Sequence, residues 1–208
     1  MKQLIAWTLL TILAFSQPAA FANVATGQSA PEFTLTDIQG KPQQLSAYKG
    51  KYVVLEWFNS ECPFVQKHYE SGNMQSLQKR YGEKGVVWLT INSTSADSSN
   101  YRDPLRSQQI VKDWKINSAA LMLDTEGTVG HAYGARTTPH LWVIDPSGKV
   151  IYNGGIDDKA TFRADDVKTA KNFVAVALDV GVAEHVSIMA HACRPIERCR
   201  SAGRDGVR

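Results

Sequence analysis

The sequence predicts an α/β domain of three layers with a mixed β-sheet at its centre. Short apolar runs rich in β-branched and aromatic residues alternate with stretches of helical periodicity, the pattern of strands crossed by helices. The two strongest runs, Tyr52–Phe58 and Val86–Ile91, are almost continuously apolar, as strands covered on both faces are. Near the end, Asp145-Pro146-Ser147-Gly148 is a tight turn that makes the run after it antiparallel to the run before.

Taken in order, Ala30–Leu35 is a short extended run, Asp37–Pro42 is turn chemistry, and Leu45–Lys51 is a polar approach to the first strong strand. That strand runs into Asn59-Ser60-Glu61-Cys62-Pro63, where Pro63 suits the first position of a helix because its missing N–H would be unpaired there. Helical spacing continues to about Tyr69, loosens at Ser71-Gly72, and resumes through Leu77 and Tyr81 until Gly82 and Gly85 end it. After Val86–Ile91, the Ser/Thr/Asn/Asp stretch 92–100 reads as a long loop. Asp103-Pro104 is a cap followed by proline, opening a helix whose buried side is Ile110, Val111 and Trp114. Strands follow at Ala119–Leu123, His140–Ile144 and Lys149–Tyr152, with a short helix at Thr128–Tyr133. A last helix is expected over 164–180, where Val167, Ala170, Phe173, Val174, Ala177 and Leu178 form one apolar stripe.

Composition limits the function. With 208 residues, 43% hydrophobic and 21% charged, the chain is a globular protein of one main domain, which excludes a disordered, collagenous or polytopic membrane chain. A net charge of +3 is too small to suggest a nucleic-acid partner. Lys2, the 12-residue stretch Leu4–Phe15 and Ala20-Phe21-Ala22 have the form of a signal peptide over 1–22. The stretch is shorter than the ~20 residues of a spanning helix, so no stable membrane insertion is expected after cleavage, and the protein is placed in the periplasm or secreted. The domain is expected over 23–185, followed by a basic tail at 186–208. Residues 193–208 hold five of the ten arginines and no lysine, and carry Cys193 and Cys199. This tail is either functional or a frayed terminus.

Cys62 is the strongest chemical signal. At the junction of a buried strand and a helix starting at Pro63, its sulfur meets the unpaired N–H groups and positive end of the helix dipole. Such a position favours thiolate over thiol and makes a nucleophile. The alternative is a buried cysteine serving as a small apolar residue.

The ordered set Ala30-Pro31-x-Phe33-Thr34-Leu35, Asp37-x-x-Gly40, Leu45-Ser46-x-Tyr48-x-Gly50-Lys51, a Val-Val-Leu strand, Cys62 at its junction, Thr137-Thr138-Pro139 and Val143-Ile144-Asp145-x-x-Gly148 resembles the thioredoxin superfamily. Within it, the chain is similar to redoxins, the peroxiredoxin-like proteins of the alkyl hydroperoxide reductase and thiol-specific antioxidant type, over about residues 27–180. The resemblance implies a thioredoxin-like fold and a redox-active Cys62. It further implies a cis proline at Pro139 facing that cysteine, a Thr138 backbone open to an extended substrate, and Glu56 as a proton acceptor beneath the thiol. For Glu56 the alternative is an edge-facing carboxylate. Substrate contacts are expected from Trp57, Asn59, Pro63, Thr138 and Pro139.

The departures are as informative. In Cys62-Pro63-Phe64-Val65 a valine occupies the second cysteine of the C-x-x-C motif, so no dithiol cycle runs within it. Leu55 and Asn59 stand at the proline and threonine of the peroxiredoxin pattern P-x-x-x-T-x-x-C, and Pro139 stands about where those proteins carry an arginine, leaving Arg136 as the nearest one in sequence. Three functions fit. The leading one is reduction of a peroxide by Cys62 with Arg136 supporting the thiolate, the sulfenic acid being resolved by an external thiol or by Cys193 or Cys199. The others are a monothiol disulfide oxidoreductase and a non-catalytic binding module. No cofactor is implied, and a Cys/His metal site would want a second cysteine near Cys62.

Overall fold

Five strands build the central sheet of the computed structural model, which describes residues 24–183. They are β3 (Val53–Trp57), β4 (Val87–Asn92), β5 (Ala120–Leu123), β6 (His140–Ile144) and β7 (Val150–Gly154), in the order β5-β4-β3-β6-β7. β3, β4 and β5 are mutually parallel, whereas β6 is antiparallel to β3 and β7 to β6, so the sheet is mixed as expected. A separate hairpin pairs β1 (Thr34–Thr36) with β2 (Pro42–Gln44). Its turn is held by Asp37, whose Oδ1 accepts the N–H groups of Gln39 and Lys41, each at 2.9 Å. The sequence reading leaves β2 and the 3₁₀ turn Leu45–Tyr48 as irregular chain, because neither carries an apolar pattern.

β3 is buried along its whole length, and its alternation distributes the core. Val54 and Phe58 pack against α1 (Pro63–Glu70), α2 (Asn73–Gly82), α3 (Pro104–Asp113) and α5 (residues 173–183) through Val65, Tyr69, Met74, Leu77, Tyr81, Ile110, Val174 and Leu178. Val53, Leu55 and Trp57 face the opposite layer, with the hairpin and α4 (Thr128–Tyr133) contributing Phe33, Val129 and Tyr133. Full burial of a Val or Leu side chain is worth ~1.5–3 kcal/mol each. The central strand therefore anchors both layers, and the loop leaving its end inherits that rigidity.

The break between α1 and α2 falls at Gly72, with φ 73°, a left-handed conformation that a side chain would resist. One expected element is corrected. The helix read over 164–180 is two pieces, a 3₁₀ turn at Ala164–Thr169 and α5. Ala170 is extended, with φ −75° and ψ 140°, and the Asn172 side chain accepts the Ala175 N–H at 2.8 Å to start the second helix. Val174 and Leu178 are fully buried while Val167 stays half-exposed, so only the second piece carries core. The signal peptide expected over 1–22 and the tail with Cys193 and Cys199 lie outside the described residues.

Candidate active site around Cys62

The loop after β3 is fixed by its own polar groups. Asn59 Oδ1 accepts the Glu61 N–H at 2.8 Å, its carbonyl accepts the Cys62 N–H at 3.1 Å, and Gln66 Nε2 donates to the Ser60 carbonyl at 2.9 Å. Cys62 is thereby set as the N-cap of α1, in extended conformation, with Pro63 at the first helical position. Its Sγ is free, half-buried, and donates to the Thr138 carbonyl at 3.0 Å. Thr138 precedes a cis Pro139, and the pair sits beside Cys62 because Trp57 at the end of β3 lies opposite His140 at the start of β6.

Glu56 lies two residues before Phe58 on the α1 side of the sheet and is fully buried. Its Oε1 accepts from Tyr69 Oη at 2.8 Å, and its Oε2 accepts from Trp88 Nε1 at 2.8 Å and Gln78 Nε2 at 3.3 Å. Burial outweighs these donors and pushes the carboxyl up to about 7. Glu56 is thus a core carboxyl near its midpoint at neutral pH, not an edge-facing one.

Glu61, adjacent to the thiol, does not stand alone. Arg102 Nη2 donates to Glu61 Oε1 at 2.7 Å, while Arg102 Nη1 is held by the Ser99 and Tyr101 carbonyls at 3.1 and 2.8 Å. The long polar loop after β4 thereby delivers a cation to the active-site loop. Arg136, the arginine expected there, is exposed and makes no hydrogen bond or ion pair among the described residues. Trp57, expected at the substrate surface, is 3% exposed in the opposite layer, where its indole N–H donates to Ser93 Oγ at 3.1 Å and its ring packs on Trp142. The alternation of β3 explains this, since Glu56 and Trp57 must point to opposite faces. Asn59 is committed to the loop, whereas Pro63 is exposed and Thr138 and Pro139 are half-buried.

Further along α1, Phe64, Lys67 and His68 line one cavity together with Thr137, Pro139 and Asp157. Lys67 and His68 are buried, and Lys67 Nζ lies 3.1 Å from Asp157 Oδ2. Asn73 Nδ2 donates to His68 Nδ1 at 2.9 Å, which leaves the ring's proton on Nε2. Burial, together with Lys67, holds the imidazole below its ordinary value against the opposing pull of Asp157, so it is neutral at pH 7. Sequence spacing gives no sign of Lys67 or Arg102, since both act on residues distant in the chain. Among the described residues, no group of three or more His, Cys, Asp or Glu side chains is placed to hold a metal, and no helix is long and apolar enough to cross a membrane.

Residues 26–153, which include the hairpin, the Cys62 loop and the Thr138-Pro139 segment, match the AhpC/TSA family. The chain belongs to that family. Among curated proteins it is similar to the thiol-disulfide oxidoreductase ResA of Bacillus thuringiensis subsp. konkukian, with 30% identity over 125 residues, or 60% of this chain and 66% of the relative. The chain therefore spans just under two thirds of that relative's length. Among solved structures it resembles an uncharacterized conserved protein from Geobacillus kaustophilus, with a TM-score of 0.65 and 24% identity, covering 77% of this chain and 83% of that one. It also resembles the thioredoxin domain of a thiol-disulfide oxidoreductase from Bacteroides vulgatus, with a TM-score of 0.52 and 21% identity over 70% of this chain and 97% of that one. The fold of this AhpC/TSA member is thioredoxin-like.

Proposed function

We propose that this AhpC/TSA member is an exported thiol-disulfide oxidoreductase that works with one thiol, Cys62, in the periplasm or after secretion. The observation that carries this reading is the half-buried Cys62 at the N-cap of α1, hydrogen-bonded to the Thr138 carbonyl, with buried Val65 in place of a second motif cysteine. Similarity to thiol-disulfide oxidoreductases supports the choice of a disulfide as substrate.

The cycle has two exchanges. The Cys62 thiolate attacks one sulfur of a disulfide, forming a mixed disulfide and expelling the other sulfur as thiolate. An external thiolate then attacks the substrate sulfur of that mixed disulfide and returns the electron pair to Cys62. The proton that Cys62 sheds beforehand is assigned to Glu56, the buried carboxyl on the same side of the sheet, whose value near 7 lets it take and release a proton at neutral pH. Pro63, Thr138 and Pro139 form the surface an extended substrate meets, and Cys193 or Cys199 is a candidate to replace the external thiol.

Peroxide reduction, the leading expectation from sequence, has weaker support. Leu55 and Trp57 are buried, Asn59 is tied into its loop, and Arg136 does not engage the Cys62 loop, so no polar group here matches the peroxide-activating set of the family. Intact-mass analysis of the full chain and of Cys62→Ser after brief exposure to oxidised glutathione or to hydrogen peroxide decides between them. The disulfide reading expects rapid glutathione addition that depends on Cys62. Faster sulfenic acid formation with peroxide would establish the peroxidase, loss of two hydrogens would reveal a resolving cysteine in the tail, and inertness to both would leave a binding module.

A further inference from the structure

The cavity beside Cys62 has a composition that the disulfide exchange above does not use. Phe64, Lys67 and His68 share one side of α1 at helical spacing and face residues 155–160 across a space of about 420 Å³, within the ~300–1,000 Å³ of small-molecule sites. Thr138 also lines it, and the carbonyl of that residue holds the Cys62 Sγ, so the cavity opens next to the reacting sulfur.

Its charged groups are built in. Lys67 is 1% exposed, and its Nζ donates to the Lys159 carbonyl at 2.9 Å and to Asp157 Oδ1 at 3.3 Å. Asp157 Oδ2 is ion-paired with the same nitrogen at 3.1 Å and lies 3.7 Å from Nε2 of the neutral His68, and neither contact is aligned as a hydrogen bond. It is therefore a buried carboxylate oxygen whose charge is met by Lys67 but which accepts no hydrogen bond among the described residues, leaving it able to accept one from a ligand. Asp158 and Lys159 add one charge of each sign to the lining. The charges balance, and Phe64 and Ile156 supply apolar wall. A ligand bearing both an ammonium and a carboxylate fits this set better than a polyanion or an uncharged molecule.

A cycle with one thiol needs a second thiol delivered to the mixed disulfide. We infer that this cavity binds that co-substrate, a small zwitterionic peptide thiol of the glutathione type. The inference rests on the one-thiol exchange proposed above. When the bound thiolate attacks the substrate sulfur, a new S–S bond forms between those two sulfurs and the bond to Cys62 Sγ breaks. Its electron pair stays on Cys62, the co-substrate is oxidised to a disulfide, and its proton has gone to solvent.

The test uses the full chain with Cys193→Ser and Cys199→Ser, loaded at Cys62 with a mercaptoethanol mixed disulfide from hydroxyethyl disulfide. Return of the free thiol is followed by intact mass against rising reduced glutathione or mercaptoethanol. The inference expects the glutathione rate to saturate and the mercaptoethanol rate to rise linearly, with the glutathione diethyl ester behaving like mercaptoethanol. It also expects Ala160→Trp, an exposed substitution on the cavity lining, to lower the glutathione rate about tenfold more than the mercaptoethanol rate, the loss of roughly one unit of log affinity. Linear dependence on both thiols with an equal effect of Ala160→Trp would overturn the cavity assignment alone. Failure of Cys62 to load or to be released by either thiol would overturn the one-thiol exchange and the cavity assignment with it.

Discussion

Cys62 Sγ donates to the Thr138 carbonyl at 3.0 Å, joining residues 76 apart in the chain. The contact is a product of the sheet. Antiparallel pairing of β3 with β6 places the end of one strand beside the start of the other, so the loop that leaves Trp57 and the segment that enters His140 must meet. The thiol is therefore held by tertiary structure: Cys62 caps α1 through its backbone position, but its Sγ makes no cap hydrogen bond to the helix N–H groups, contrary to the expectation from sequence.

Restoring the missing thiol should change the chemistry without changing the fold. Val65 is 1% exposed and occupies the third position after Cys62, the spacing of a dithiol motif. In Val65→Cys, oxidation should yield an intramolecular disulfide, read as loss of two hydrogens in the intact mass, and adducts with external thiols should no longer accumulate. The lost methyl group should cost about 1 kcal/mol in urea unfolding. Persistent adducts at Cys62 in this variant would show that residue 65 does not face the sulfur.

Arg102 should matter to reactivity more than to stability. Its ion pair with Glu61 is partly exposed, a class worth about 0–1 kcal/mol, so Arg102→Ala should barely move the unfolding midpoint. It does, however, leave an uncompensated carboxylate next to Cys62, and repulsion between like charges should slow alkylation by iodoacetamide at pH 7 several-fold. Adding Glu61→Gln should restore the rate, because the double variant removes the repulsive charge together with its partner. Equal rates in all three proteins would remove Arg102 from the site.

Two buried groups give the stability opposite pH dependences. Glu56 has a folded value of about 7 against an ordinary 4.5, so the fold binds the extra proton, and its contribution is fully present below 4.5 and falls as pH rises to 7. His68 is held below 6.5, so its contribution is present above that value and is lost as pH falls. The wild type should therefore show little net trend from this pair. Glu56→Gln should unmask a rise, gaining roughly 2–3 kcal/mol relative to wild type between pH 5 and 8 in urea unfolding. His68→Gln should unmask the fall. Parallel curves for the three proteins would mean that neither group titrates in the fold.

Local chemistry made much of this molecule readable. Nearly continuous apolar runs mark β3 and β4, and Asp103-Pro104 marks the start of α3, where Asp103 Oδ1 accepts the Arg106 N–H at 2.7 Å. The break at Ala170 is invisible to the same reading, because Val167, Ala170 and Phe173 keep helical spacing across an extended residue. In the site, Cys62 is legible from its place at the strand-to-helix junction, and Thr138 and the cis Pro139 from the family resemblance. Arg102–Glu61 and Lys67–Asp157 are not, because they join residues 41 and 90 apart and depend on how two loops fold back. Trp57 shows the limit of adjacency, since a neighbour in sequence on a strand belongs to the opposite layer.

The Lys67–Asp157 pair ties α1 to the chain after β7, and its two halves should not be separable. Both side chains are almost fully buried, 0% and 5% exposed, so removing one charge strands the other away from water. Lys67→Met should therefore cost about 3–5 kcal/mol in urea unfolding, whereas Lys67→Met combined with Asp157→Leu should recover most of it, since a buried pair is often no better than apolar side chains of similar volume. The single variant also frees the Lys159 carbonyl from its 2.9 Å bond, so limited trypsin digestion should cut after Lys159 or Arg163 faster than in wild type. If the double variant is no more stable than the single one, the pair contributes through its specific geometry, and the cavity it borders depends on both charges.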